Sequence, residues 1–261
     1  MLERRDTVIG HPENQDWVEQ LVESERRAWK INEIPAPPNE LLELVESFGR
    51  WPALRSTFDP HYMPPIELKT YSRFFNIGKK GGRKAIARLA SQMSPFNGGW
   101  LLIDKSQRPD YEMGVQMHKG DSFIGLMTRD LRLEGKIATS EDYTHVPLYS
   151  RFVISYDEIS KFVIPKFATS SGIKEEQAGV PKAIEYYALG NLFYKEWFGK
   201  TRDTNRYTWE WFEDKIGTDY NRHSSLAASD SYALDYINAL RSDMRSDRGS
   251  FRLVIRFPSK T

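Results

Sequence analysis

Residues 56–74 read Ser-Thr-Phe-Asp-Pro-His-Tyr-Met-Pro-Pro-Ile-Glu-Leu-Lys-Thr-Tyr-Ser-Arg-Phe. The β-branched and aromatic residues predict two extended segments, 56–59 and 66–74, and Pro60, Pro64 and Pro65 predict a turn between them. Glu67 and Lys69 are two apart on the second segment, so they project from one face of a strand. If Asp59 ends the preceding strand of a hairpin, its carboxylate sits beside that of Glu67. Two carboxylates and the intervening carbonyl of Leu68 form a hard oxygen set suited to Mg2+, which would polarise a phosphate and acidify a bound water. Lys69 would orient that water or neutralise charge in the transition state.

The flanking sequence extends the pattern. Residues 14–30 carry Trp17, Val18, Leu21, Val22, Ala28 and Trp29 near helical spacing, with Asn14 as the expected cap. After the Pro-rich break 34–38, Asn39 opens a second helix, 40–48, closed by Gly49 and bearing Glu43 and Glu46 one turn apart. The glycine-rich loop 76–82 opens a helix over 83–93, and Trp100-Leu-Leu-Ile103 has the character of a buried central strand. Strand, helix and strand in that order predict a βαβ crossover with a parallel pair. Further strands are expected at 122–134, 143–155 and 161–167, helices at 181–198, 206–215 and 225–246, and a final strand at 250–257. The expected product is a single α/β domain over 1–261. Its mixed central sheet, flanked by helices, occupies about 39–167, and a helical C-terminal portion covers about 174–248.

Composition narrows the chemistry. The chain has no cysteine, which excludes disulfides, thiolate catalysis and sulfur-ligated metals. Its five histidines lie at least 27 residues apart, so no local histidine pair offers a zinc site. Any metal therefore falls to carboxylates. No apolar run approaches the roughly 18 residues of a membrane span, and the opening Met-Leu-Glu-Arg-Arg-Asp lacks the apolar core of a signal peptide. A cytoplasmic protein away from membranes is expected.

A net charge of +1 conceals an imbalance. Residues 1–50 carry eleven acidic and six basic side chains, whereas residues 66–108 carry nine basic against Glu67 and Asp104. Within that stretch Gly78, Gly81 and Gly82 free backbone N–H groups at a helix start, and Lys79, Lys80, Arg83 and Lys84 add four positive charges, a pattern suited to a phosphate backbone. The P-loop signature is absent there. A rival acid pair, Asp110 and Glu112 with Lys119 beyond, lacks surrounding strand signals.

The run Asp59…Glu67-Leu68-Lys69, with an acid-bearing helix before it and a strand, helix and strand after it, resembles the PD-(D/E)xK nuclease superfamily, which includes many type II restriction endonucleases. The resemblance covers about residues 39–105. It implies a restriction-endonuclease-like core and Mg2+-dependent hydrolysis of double-stranded DNA, as in a restriction system, and admits a homodimer. Asp59 and Glu67 would be the metal-binding acids, Lys69 the motif lysine, Glu46 the further acid from the helix, and Leu68 a carbonyl ligand. The sequence departs from the family in having proline after the aspartate rather than before it, and in an eight-residue gap between the acids. Two other readings fit the same residues: a non-enzymatic nucleic-acid-binding protein that uses the basic loop, and a protein–protein interaction module built on the Tyr- and Trp-rich helices.

Overall fold

The apolar run ahead of Asp104 forms the centre of the structure, because every residue of it is buried on both faces. The computed structural model describes residues 15–66, 96–107, 116–118, 120–121, 123–194, 197, 208–215, 222–228 and 236–258. Within it, β1 (Phe58–Met63), β2 (Gly99–Asp104), β3 (Ala178–Gly179) and β8 (Val254–Pro258) form an antiparallel sheet in the order β1-β2-β8-β3. A second sheet has the order β6-β5-β4-β7, from β4 (Thr208–Lys215), β5 (Arg222–Ala228), β6 (Tyr236–Arg241) and β7 (Gly249–Ser250). Its pairs are antiparallel except β4 with β7. The architecture is mixed α/β.

Alternation along β2 divides the core. Trp100 and Leu102 join one apolar cluster with Phe58, Tyr62, Ile255 and Phe257, while Leu101 and Ile103 join the other with Met63 and Val254. The first face is covered by α2 (Asn39–Gly49), whose Leu41, Leu44, Val45 and Phe48 are buried, and by α4 (Phe123–Leu133). It is also covered by a helical run of α5 (Tyr156–Glu158), a π-helical turn (Ile159–Val163) and α6 (Ile164–Ser171). The second face is covered by α7 (Ala183–Leu192) with Tyr194, Trp197 and Phe212. Leu101 and Ile103 are fully buried, each worth roughly 1.5–3 kcal/mol of apolar burial. The short α3 (Pro52–Thr57) leads directly into β1, and α1 (Gln15–Trp29) packs Trp17, Leu21, Val22 and Trp29 against the two clusters.

Several expectations are corrected. Residues 58–63 form one strand rather than a strand end and a turn, because β1 is an edge strand of its sheet, where proline is tolerated. Asp59 pairs with Ile103, Met63 with Gly99 and, past Pro64 and Pro65, Ile66 with Phe96, all in one continuous antiparallel register. The chain thus runs straight on through Ile66 instead of folding back at Pro64-Pro65. Trp100–Ile103 is central as expected, but both its partners are antiparallel, so no parallel crossover ends on it. The rest of the expected 66–74 strand and the 83–93 helix lie outside the described residues. Residues 123–133 and 159–171 are helical, not extended, since their apolar residues recur every three to four positions. Residues 208–215, 222–228 and 236–241 are strands rather than helices. The final strand is present but split, as β7 and β8. Among the described residues no helix is long and apolar enough to cross a membrane.

A buried ionic cluster ties the two sheets together. Arg151 is completely buried and pairs with Asp104 at the end of β2 and with Asp121, donating a further bond to Asp121 Oδ1 at 2.8 Å and one to Ser106 at 3.1 Å. Arg252, equally buried, bonds the Asp104 carbonyl and pairs with Glu210 of β4 at 2.9 Å. Burial pushes the Asp104 carboxyl up, but the Arg151 and Arg252 guanidiniums more than reverse this and hold it below the usual carboxylate range. A lowered folded-state pKa adds stability that is present above the unfolded value and lost as pH falls through the folded one, so this cluster makes the fold sensitive to acid. Replacing Arg151 by Met strands two buried carboxylates. The expected cost is about 3–5 kcal/mol, read as a shift of the denaturant midpoint at neutral pH.

Candidate functional site

Strand alternation sends Asp59, His61 and Met63 to the face of β1 opposite Phe58 and Tyr62. There Asp59 meets an ammonium, supplied by Lys105 rather than Lys69: Lys105 Nζ donates to Asp59 Oδ1 at 2.7 Å. Lys105 follows directly after β2, which the antiparallel register brings alongside Asp59. The other carboxylate oxygen accepts the hydroxyl of Tyr194 at 2.9 Å. Tyr194 Oη lies 2.6 Å from His61 Nε2, and His61 Nδ1 lies 2.8 Å from Glu25 Oε1 of α1. Trp29 Nε1 donates to the second Glu25 oxygen at 3.1 Å, and the Phe193 ring packs 4.4 Å from the imidazole, centre to centre. Five polar groups from four parts of the chain thus form one chain of hydrogen bonds, running from a buried carboxylate to a partly exposed ammonium.

Carboxylates only accept, so Nδ1 donates to Glu25 and the tyrosine hydroxyl donates to Asp59. The single hydroxyl proton is thereby committed, and the bond between His61 and Tyr194 is donated by Nε2.

Of the expected metal ligands, only Asp59 and Glu46 lie among the described residues. Glu46 is exposed on α2, and α2 packs on the opposite face of the sheet, with the Phe48 and Phe58 rings 5.8 Å apart. Glu46 and Asp59 are therefore not brought together. Ile66, which precedes Glu67, is seven register positions from Asp59 along the same ladder, roughly 23 Å at 3.3 Å per residue. Glu67, Leu68 and Lys69, and the basic Lys79, Lys80, Arg83 and Lys84, lie outside the described residues. Among the described residues no group of three or more histidine, aspartate or glutamate side chains is arranged to hold a metal ion.

Sequence reasoning singled out Asp59 but missed Glu25, Tyr194 and Lys105 as its company. The signal for Glu25 was present, since Trp17, Leu21, Glu25 and Trp29 recur every four residues and place a carboxylate in phase with the apolar stripe. It is the one residue of α1 in the buried class among those whose side chains are described.

A second polar cluster lies at the start of α7. Asp214 Oδ2 accepts the Ala183 N–H at 2.7 Å. Nearby, Arg256 of β8 joins Glu185 at 2.7 Å and Glu213 at 2.8 Å, bridging the two sheets. Burial, reinforced by the charges of Glu185 and Glu213 and only partly offset by the Ala183 bond and Lys182, pushes the Asp214 carboxyl up to about 6. A raised carboxyl acts opposite to Asp104: its contribution is present below the unfolded value near 3.8 and is lost as pH rises through about 6. Asp214→Asn keeps the oxygen that accepts from Ala183 and removes the titration. It is expected to abolish a fall in stability of about 3 kcal/mol between pH 4 and 7, measured by unfolding at a series of pH values.

No protein-family model, curated protein or solved structure matches the chain.

Proposed function

We propose that this protein binds double-stranded DNA through the basic segment between Ile66 and Phe96. The observation that carries the reading is the bridge between those two residues. It brings together the residues that flank the 29-residue segment 67–95, whose seven basic side chains are set against Glu67 alone, a net charge of +6. Ile66 and Phe96, the residues on either side of that segment, meet at one point of the sheet, past the paired ends of β1 and β2. Dense positive charge with interspersed glycines suits the phosphate backbone, where affinity arises from counterion release. The resemblance to the PD-(D/E)xK superfamily points to the same partner. Asp59, the acid that the resemblance would pair with Glu67, is engaged by Lys105 and Tyr194. Binding without a metal step at Asp59 is therefore the reading put forward.

Affinity for duplex DNA is expected to fall steeply with salt. Replacing Lys79, Lys80, Arg83 and Lys84 by Ala should flatten the slope of log K against log salt by about 3–4, near 0.9 for each phosphate no longer neutralised. Fluorescence anisotropy over a range of salt measures this. Salt-independent binding would instead favour a protein interaction module. Plasmid DNA in Mg2+ should stay uncut by the wild type; cutting that Lys69→Ala and Glu67→Ala both abolish would restore the endonuclease reading.

A further inference from the structure

We propose that Lys105, Asp59, Tyr194, His61 and Glu25 act as one hydrogen-bonded relay, through which drawing the Lys105 ammonium to an external anion loosens helix α1. The ammonium is 29% exposed, whereas the imidazole and the Glu25 carboxylate are 8% and 1% exposed. One end of the chain is therefore open to solvent and the other is enclosed. The sequence of effects follows from polarisation along linked hydrogen bonds. Without its ammonium, Asp59 becomes a stronger acceptor and pulls the Tyr194 hydroxyl proton toward itself. The phenol oxygen gains negative character and strengthens its bond from Nε2–H, which makes Nδ1–H a poorer donor. The bond to Glu25 weakens, and Asp59 is left without the ammonium that faces it. Glu25 is the buried anchor of α1, so the helix is the element that responds.

The anion with the right chemistry is a phosphate oxygen, which competes with a carboxylate for an ammonium. Only the identity of that anion as a nucleic-acid phosphate rests on the proposed function; the coupling does not.

A double-mutant cycle tests it. Glu25 and Lys105 do not bond to each other, and distant independent sites are additive to about twofold in the unfolding constant. Lys105→Met and Glu25→Gln are expected to be non-additive by more than about threefold, and in a Tyr194→Phe background the same pair should become additive. Any smaller departure from additivity, or one that persists in Tyr194→Phe, overturns the relay. Should Glu25→Gln fail to fold, amide exchange across α1 decides: faster exchange in Lys105→Met than in wild type supports the relay, and unchanged exchange overturns it. Adding duplex DNA to the wild type separates the two proposals. DNA that binds without quickening α1 exchange removes phosphate as the input while leaving DNA binding intact. Absence of binding removes the proposed function and leaves the cycle standing.

Discussion

The fold depends on the burial of Arg151 between Asp104 and Asp121. A guanidinium removed from water is tolerated only when its charge and its donors are matched, and this one meets two carboxylates, a serine hydroxyl and the Phe251 carbonyl. Asp104 ends the central strand, Asp121 precedes α4, and Phe251 lies in the link from β7 to β8. One side chain thus joins the end of one sheet to a helix and to the connection between the sheets. Arg252 repeats the arrangement one residue later, with its guanidinium carbon 4.2 Å from the Trp197 ring centre, and ties in β4 through Glu210. Apolar packing gives these elements their faces. The paired charges set which ends meet, because a shift of any partner would leave an ion buried without its counter-ion.

The same contrast separates what was legible in the sequence from what was not. Helices α1 and α2 and the strand at 99–104 were legible because each has a local period and local end signals. The path from Phe58 to Ile66 was not, because three prolines read as a turn when the edge position of the strand is unknown. An edge strand needs only half of its N–H groups for pairing, so Pro60 can sit within it. Edge status is a property of the assembled sheet and leaves no trace in the nearby residues.

The C-terminal part was misread for a related reason. Residues 208–215 mix aromatic and acidic side chains without strict alternation, and most of them are buried, so neither face shows the polar stripe of a simple amphipathic strand. Glu210, Glu213 and Asp214 are each matched to a group from a distant segment: Arg252, Arg256 and the Ala183 N–H. Long-range pairing of that kind cannot be read from spacing. The candidate site shows the same limit, since Asp59 was singled out for its chemistry while its true neighbours come from positions 105 and 194.

Helix α7 connects these observations. Every residue from Ala183 to Gly190 is buried, so the helix has no wet face to orient it and lies in the core as an apolar rod. Its orientation is then fixed at its ends. At the first turn the Ala183 N–H is held by Asp214 and Glu185 is held by Arg256; just past the last turn, Tyr194 is held between His61 and Asp59. Along its length the Tyr186 ring stacks on Trp197 and faces the Arg252 guanidinium, so close packing holds the helix between its polar ends. The hydrogen bonds at Tyr194 and the inter-sheet bridge at Arg256 therefore hold opposite ends of one buried helix, which sets Asp59 and His61 at one end and the junction of the two sheets at the other.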